Sequence, residues 1–251
     1  MRKLMMELEY DGSSYCGFQV QPEKPTVQGE VEEALYKLTG EALRITAAGR
    51  TDTGVHAKAQ VVSFVTDGGC PTKQFVGALN FYLPDDICVT SVVEVPADFD
   101  ARRSAIRRYY RYYVLNRRCP SPFWRHYAYH FPVQLDLGEI RRAASALVGE
   151  HDFAAFAGRE AKGRSTRREI YTADVERQGE LVLFDISANG FIAHQVRNMV
   201  GTLIWVGTGK LGAADLLRIL EGRDRKAAGP AAPPHGLYFM KVDYPVGAFT
   251  V

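Results

Sequence analysis

Cysteine is scarce in this chain: four among 251 residues, Cys16, Cys70, Cys88 and Cys119, with no Cys-x-x-Cys pair and no histidine at zinc-finger spacing. They read as free thiols, which excludes a disulfide scaffold and a cysteine-built zinc site. Long apolar runs are missing as well. None approaches the roughly 20 residues a membrane helix needs, and Met1 to Glu9 alternates charged and apolar side chains where a signal peptide would be unbroken. A cytoplasmic protein with no membrane partner is expected. His126 and His130 have the i, i+4 spacing of a helical metal pair, but they lie in an aromatic stretch with no acid or third ligand beside them. No metal site, no P-loop and no dinucleotide-binding glycine loop is read, so no cofactor is expected.

What is present is an ordinary globular composition with an uneven charge. The hydrophobic share is 46%, enough for a sizeable core, and the formal net charge is +2. From Ala101 to Cys119 there are seven arginines and no acid, interleaved with Tyr109, Tyr110, Tyr112 and Tyr113. Arg159, Lys162, Arg164, Arg167 and Arg168 form a second basic group against the single acid Glu160. Guanidinium groups neutralise phosphates and tyrosines stack on exposed bases, a combination that points to RNA or single-stranded nucleic acid. The plainer reading of each run is a solvated strand face.

Periodicity divides the chain into two similar halves. Leu4, Met6, Leu8 and Tyr10 alternate as a strand with one buried face. Val27, Val31, Ala34, Leu35 and Leu38 recur at helical spacing behind Pro25 and Thr26, and Gly40 stops the helix. A short apolar stretch at 44–48, a glycine-bracketed loop and a β-rich run at 61–65 follow. A helix from Thr72 to about Tyr82 and a β-branched strand from Ile87 to Val95 complete the first set. The second set begins with a strand at Tyr109 to Leu115 and a helix behind the capping box of Asp136 and Glu139. A hairpin pairing 170–176 with 181–187, a long helix over about 191–206 and a last strand from Leu237 to Val242 finish it. Each half reads as βαββαβ. The expected fold class is therefore α+β, two ferredoxin-like halves, residues 1–105 and 106–251, with their sheets joined around a central cleft. The proline-rich stretch 229–234 reads as an ordered loop before the last strand.

The segment Ala48-Gly49-Arg50-Thr51-Asp52-Thr53-Gly54-Val55-His56-Ala57 is the one best suited to chemistry. An aspartate two residues from an arginine is expected to stay ionised, as a nucleophile or base must. An aspartate in Thr-Asp-Thr-Gly also often does no more than bond its own turn, and the local residues leave both readings open. His56 reads as closing the turn by hydrogen bonding. Arg197 lies beside Val196, Met199, Val200 and Leu203 on the long helix, where a charge is costly unless paired or able to reach solvent along its stem.

The same segment resembles the catalytic motif of the tRNA pseudouridine synthase A family, Gly-Arg-Thr-Asp followed after one variable residue by Gly-Val-His-Ala. Tyr10-Asp11-Gly12, Tyr15-Cys16-Gly17-Phe18-Gln19 and Thr26-Val27-Gln28-Gly29 resemble its amino-terminal pattern. Arg108-Tyr109-Tyr110-Arg111-Tyr112 resembles its tyrosine-bearing strand, Asn189-Gly190-Phe191 with His194 to Gly201 its long helix, and Pro233 to Leu237 its closing segment. Ordered matches thus span nearly the whole chain. The resemblance implies the pseudouridine-synthase fold, with Asp52 the essential aspartate, Tyr110 the aromatic that stacks on the target base, and Arg197 the cation that pairs with Asp52. Tyr110 and Tyr112 share one strand face and Tyr109 and Tyr113 the other. Arg50 has two readings, a phosphate contact or an occupant of the space an extruded nucleotide leaves.

The resemblance further implies an isomerase acting on tRNA at positions 38 to 40, on the 3′ side of the anticodon stem-loop. It implies a homodimer, no cofactor and no DNA partner. Asp52 acts either by attack on the ribose or base, or by removing a ribose proton to give a glycal. Two rival readings remain: an RNA-binding module without catalysis, and a hydrolase on the same scaffold, which needs a second carboxylate or a metal.

Overall fold

The computed structural model describes residues 1–158, 163 and 165–247, so Arg159, Lys162 and Arg164 of the second basic group lie outside the described residues. The fold is α+β, as expected, and divides into two compact units: Met1–Arg108 together with the described residues from Phe239 onward, and Tyr109–Tyr238.

In the first unit the elements run β1 (Arg2–Tyr10), α1 (Val27–Thr39), β2 (Thr46–Ala47), β3 (His56–Thr66), α2 (Thr72–Tyr82) and β4 (Ile87–Val95), the βαββαβ order. Strand β1 is central, antiparallel to β3 on one side and β4 on the other. Its alternation is the cause: Leu4, Met6 and Leu8 are fully buried while Lys3, Glu7 and Glu9 are not. Each such side chain removed from water stabilises the unit by about 1.5–3 kcal/mol. Thr26 caps α1 by accepting a hydrogen bond from the Gly29 N–H, and Gly40 ends the helix in the left-handed region at φ 74°, where a side chain would be strained. The β1–β3 register slips between Leu8 and Tyr10, so Leu8 faces Gln60 while Tyr10 faces Ala57. That bulge carries the end of β1 beneath the 49–57 loop.

The second unit holds β5 (Arg107–Leu115) from Tyr109 onward, β6 (Tyr129–His130), α3 (Leu137–Ser145), β7 (Gly149–Asp152), β8 (Arg167–Gln178), β9 (Leu181–Ala188), α4 (Gln195–Gly207) and α5 (Ala213–Gly222). The strand order is β5-β9-β8-β7, with β6 parallel to β5. Asp136 caps α3 through the Glu139 N–H, and β8 pairs with β9 across a turn in which Gly179 has φ 61°. Helix α3 packs on β8, α4 and α5.

Three features differ from the sequence reading. The long helix starts at Gln195 instead of near 191, because His194 takes a left-handed conformation (φ 64°) and Gln195 Oε1 turns back to accept the Ile192 N–H. Helix α5 and the short strands β6 and β7 were not anticipated. The last strand, β10 (Leu237–Asp243), neighbours β3, and from Phe239 the chain counts with the first unit. Among the described residues no helix is long and apolar enough to cross a membrane.

Candidate active site

Asp52 lies in the loop between β2 and β3, half-buried, with Arg50 exposed beside it. The loop has no regular secondary structure, yet its backbone is pinned on all sides. The Ala48 N–H reaches Val61 O at 2.8 Å, Thr51 O accepts from the Phe18 N–H at 3.1 Å, and Asp52 O accepts from the Val55 N–H at 3.1 Å. Gly17, at φ +91°, makes the approach of the 15–19 segment possible: a Cβ there would stand 2.9 Å from Thr51 O. Gly12 is tighter still, since a Cβ on it would collide with Val55 O at 2.0 Å. His56 is 2% exposed, and its Nδ1 accepts the Gly12 N–H at 3.1 Å. The same nitrogen lies 3.1 Å from Asp11 Oδ1. Nδ1 cannot accept from Gly12 and donate to Asp11 at once; the well-aligned amide bond assigns it as an acceptor. His56 therefore closes the turn.

Side chains from below complete the frame. Tyr10 Oη lies 2.8 Å from Thr51 Oγ1, and Gln60 Nε2 donates to Gly49 O at 2.8 Å. The Arg108 guanidinium, 9% exposed, donates to the carbonyls of Ala48 (3.3 Å), Ala105 (2.9 Å) and Arg102. Sequence reasoning passed over Gln60, and it placed Tyr10 and Arg108 on their strands without seeing that they hold this loop. The available signal was a glutamine and an arginine inside otherwise apolar or alternating strands, polar groups that burial makes costly unless they are held.

In the second unit, Tyr110 is 8% exposed and meets Phe191 edge-on, with ring centroids 5.1 Å apart at 85°. Its face-mate Tyr112 is fully buried, its hydroxyl donates to Pro233 O at 2.7 Å, and Gly236 abuts its ring. On the other face Tyr113 stacks on Trp124 and meets Tyr238 edge-on. Arg197 is half-buried on α4 and donates from Nε to Ala232 O at 2.8 Å, while its own carbonyl accepts the Ala232 N–H. Burial holds the Tyr112 hydroxyl well above its usual pKa, and the nearby Arg197 charge opposes that shift. Helix α4 is buried on most sides, not along a stripe: Gln195, Asn198 and Thr202 are buried together with the apolar residues. Asn198 donates to Phe156 O and accepts from Arg225, which also donates to Gly229 O.

Part of the basic run serves the fold. Besides Arg108, Arg111 makes a two-point contact with Asp185 (2.7 and 3.0 Å) and Arg117 meets Glu180 at 2.7 Å. In the second basic group Arg167 bridges to Glu150. His130 sits 2.9 Å from Arg117 O, a packing histidine, and the 122–128 segment is a turn and not a helix. Among the described residues no group of three His, Cys, Asp or Glu side chains is placed to hold a metal. One correction concerns glycine: Gly207, Gly209 and Gly212 do spell the spacing of a dinucleotide-binding loop. They begin at the last residue of helix α4, whereas that loop follows a strand, so the phosphate-binding context is missing.

A family model described as tRNA pseudouridine synthase matches residues 8–102 and 143–245. The tRNA pseudouridine synthase A of Moorella thermoacetica is 46% identical over 243 residues, 96% of this chain and 99% of that protein. The enzyme of the same name from Caldicellulosiruptor bescii is 42% identical over 244 residues, 97% of this chain and 100% of that protein. In Geobacter sp. (strain M21) the corresponding protein is 43% identical over 246 residues, 98% of this chain and 100% of that one. The Asp52 loop and the tyrosine-bearing strand β5 are thus parts of an isomerase, and the chain belongs to the tRNA pseudouridine synthase family.

Proposed function

We propose that this synthase converts uridine to pseudouridine at positions 38 to 40 of the tRNA anticodon stem-loop, with Asp52 as its catalytic carboxylate and no cofactor. The supporting observation is the Asp52 loop, a carboxylate half open to solvent on a backbone held by its neighbours at Ala48, Thr51 and Val55. Such pre-positioning is what a group acting on one bond of a large substrate requires. The reaction breaks the N1–C1′ bond, turns the uracil and joins C5 to C1′; the C5 proton leaves and N1 ends protonated, so no electrons enter or leave. Asp52 serves either as the nucleophile or as the base that removes a ribose proton.

Tyr110 is assigned to stack on the extruded base, repaying an unstacking cost of a few kcal/mol. Tyr112 is a poor alternative, because its ring is enclosed and its hydroxyl engaged. Arg197 is assigned as the cation serving the Asp52 carboxylate and Arg50, exposed two residues before Asp52, as a contact to the substrate backbone. The same reading takes the enzyme as a cytoplasmic homodimer, which sedimentation equilibrium tests for assembly.

The deciding experiment supplies chelator-treated protein with unmodified tRNA tritiated at uridine C5. Wild type releases tritium and Asp52→Ala does not, with sequencing placing the product at positions 38 to 40. Release by Asp52→Ala at the wild-type rate overturns the assignment of the carboxylate, and product elsewhere overturns the site.

A further inference from the structure

Beneath the Asp52 loop is a small buried polar group that the isomerisation does not consume. Tyr10 at the end of β1 is 5% exposed, Thr51 6% and Gln60 on β3 0%. Gln60 Nε2 donates to Gly49 O at 2.8 Å and lies 3.5 Å from Tyr10 Oη, which is 2.8 Å from Thr51 Oγ1. The amide nitrogen can only donate, so it faces a lone pair of the Tyr10 oxygen and leaves that hydroxyl's proton for Thr51 Oγ1. Thr51 is then held twice, at its side chain by Tyr10 and at its carbonyl by the Phe18 N–H. The next residue along the chain is Asp52.

Stability alone does not explain this arrangement. Gln60 Oε1 is buried with no hydrogen-bond partner among the described residues, and a bare buried acceptor is destabilising. Apolar residues of the same shape would fill the space between β1 and β3 without that cost. What polar atoms supply, and apolar atoms do not, is direction: they fix Gly49 and Thr51, one on each side of Arg50, relative to the strands.

We propose that Tyr10 is a positioning residue for the isomerisation, acting through Thr51 to set the direction of the Asp52 carboxylate. This rests on the catalytic role of Asp52. Tyr10 touches neither base nor ribose. Its phenol oxygen ties a loop without regular structure to the central strand of the unit, so the carboxylate arrives at the substrate already aimed.

Steady-state kinetics on the full chain test it with Tyr10→Phe, Thr51→Val, the double variant and Thr51→Ser. Tyr10→Phe removes one atom and opens no cavity. It is expected to lower kcat about tenfold with KM held within about twofold, the split of an interaction that matters at the transition state. Thr51→Val should lose as much, and the double variant no more than either single one, because both delete the same hydrogen bond. Thr51→Ser keeps the hydroxyl and should keep kcat. An unchanged kcat in Tyr10→Phe overturns the proposal, as do additive losses in the double variant or a Thr51→Ser as slow as Thr51→Val. If Tyr10→Phe does not fold, the Thr51→Val and Thr51→Ser pair decides alone. Asp52→Ala run in parallel separates the two claims: full activity there overturns the role of Asp52, whereas an inactive Asp52→Ala beside a normal Tyr10→Phe overturns only the role of Tyr10.

Discussion

Gly17 shows how much of the site depends on a side chain being absent. Its φ of +91° is unfavourable for any L residue, and the added Cβ of alanine would press on Thr51 O at 2.9 Å. Gly17→Ala should therefore lower kcat at least about tenfold and cost about 1–3 kcal/mol of stability, read from turnover and urea unfolding. Tyr10 carries a pH signature as well. Burial pushes its hydroxyl from 10.0 up to about 12. Ionising it is then harder in the folded chain than in the unfolded one, so it contributes stability that is whole below about pH 10 and lost as pH rises through about pH 12. Unfolding followed over that alkaline range should show a shallower loss in Tyr10→Phe than in wild type. Of these residues, Asp52, Arg50 and His56 could be picked out as candidates because they stand together in one short segment, although the local residues alone left the reading of Asp52 open. Tyr10 was legible only as a buried strand residue, since its partner Thr51 lies far along the chain and the contact exists only after a bulge shifts the register.

At the scale of elements, local signals decided what could be read. Helix α2 and strand β4 have the bounds the pattern predicts, because a proline, a β-branched run and flanking breakers act within a few residues. Helix α5 was missed although Leu216, Ile219 and Leu220 have the right spacing and Asp215 turns back to the Gly212 N–H at 2.8 Å. The start of α4 misled for a different reason: nothing in the composition of 191–194 marks the left-handed turn at His194. That helix also lies against the 229–232 loop. A Cβ on Gly201 would stand 1.8 Å from Pro230 O, a contact only backbone movement relieves. Gly201→Ala is expected to destabilise the second unit by about 3 kcal/mol or more, measured by thermal or urea unfolding, although alanine is the better helix former. The burial of α4 on most sides came from packing partners distant in sequence, so periodicity suggested a stripe where the helix is enclosed.

For the molecule as a whole, charge is the property most easily misread. Seven arginines without an acid suggest seven phosphate contacts, but Arg108, Arg111 and Arg117 are engaged by carbonyls and carboxylates of the protein. The salt dependence of tRNA binding should reflect this, with Arg111→Gln changing the slope of log K against log salt by less than about 0.3, where a true phosphate contact changes it by about 0.9. Filter binding from low to moderate salt checks it. The βαββαβ order of the first unit was legible because its strands and helices alternate in a local rhythm, whereas the second unit adds β6, β7 and α5 to the pattern read for it. The allegiance of the final strand was not, because strand pairing is non-local.

That allegiance bears on when the enzyme can first work. Gly49, which opens the Asp52 loop, packs against the buried ring of Phe239, with a hypothetical Cβ only 3.1 Å from Cε2. A nascent chain paused on the ribosome before residue 239 already displays Asp52, but lacks the wall behind its loop. The loop gains that support only once Phe239 has been made, so its backbone is held late although its residues are made early.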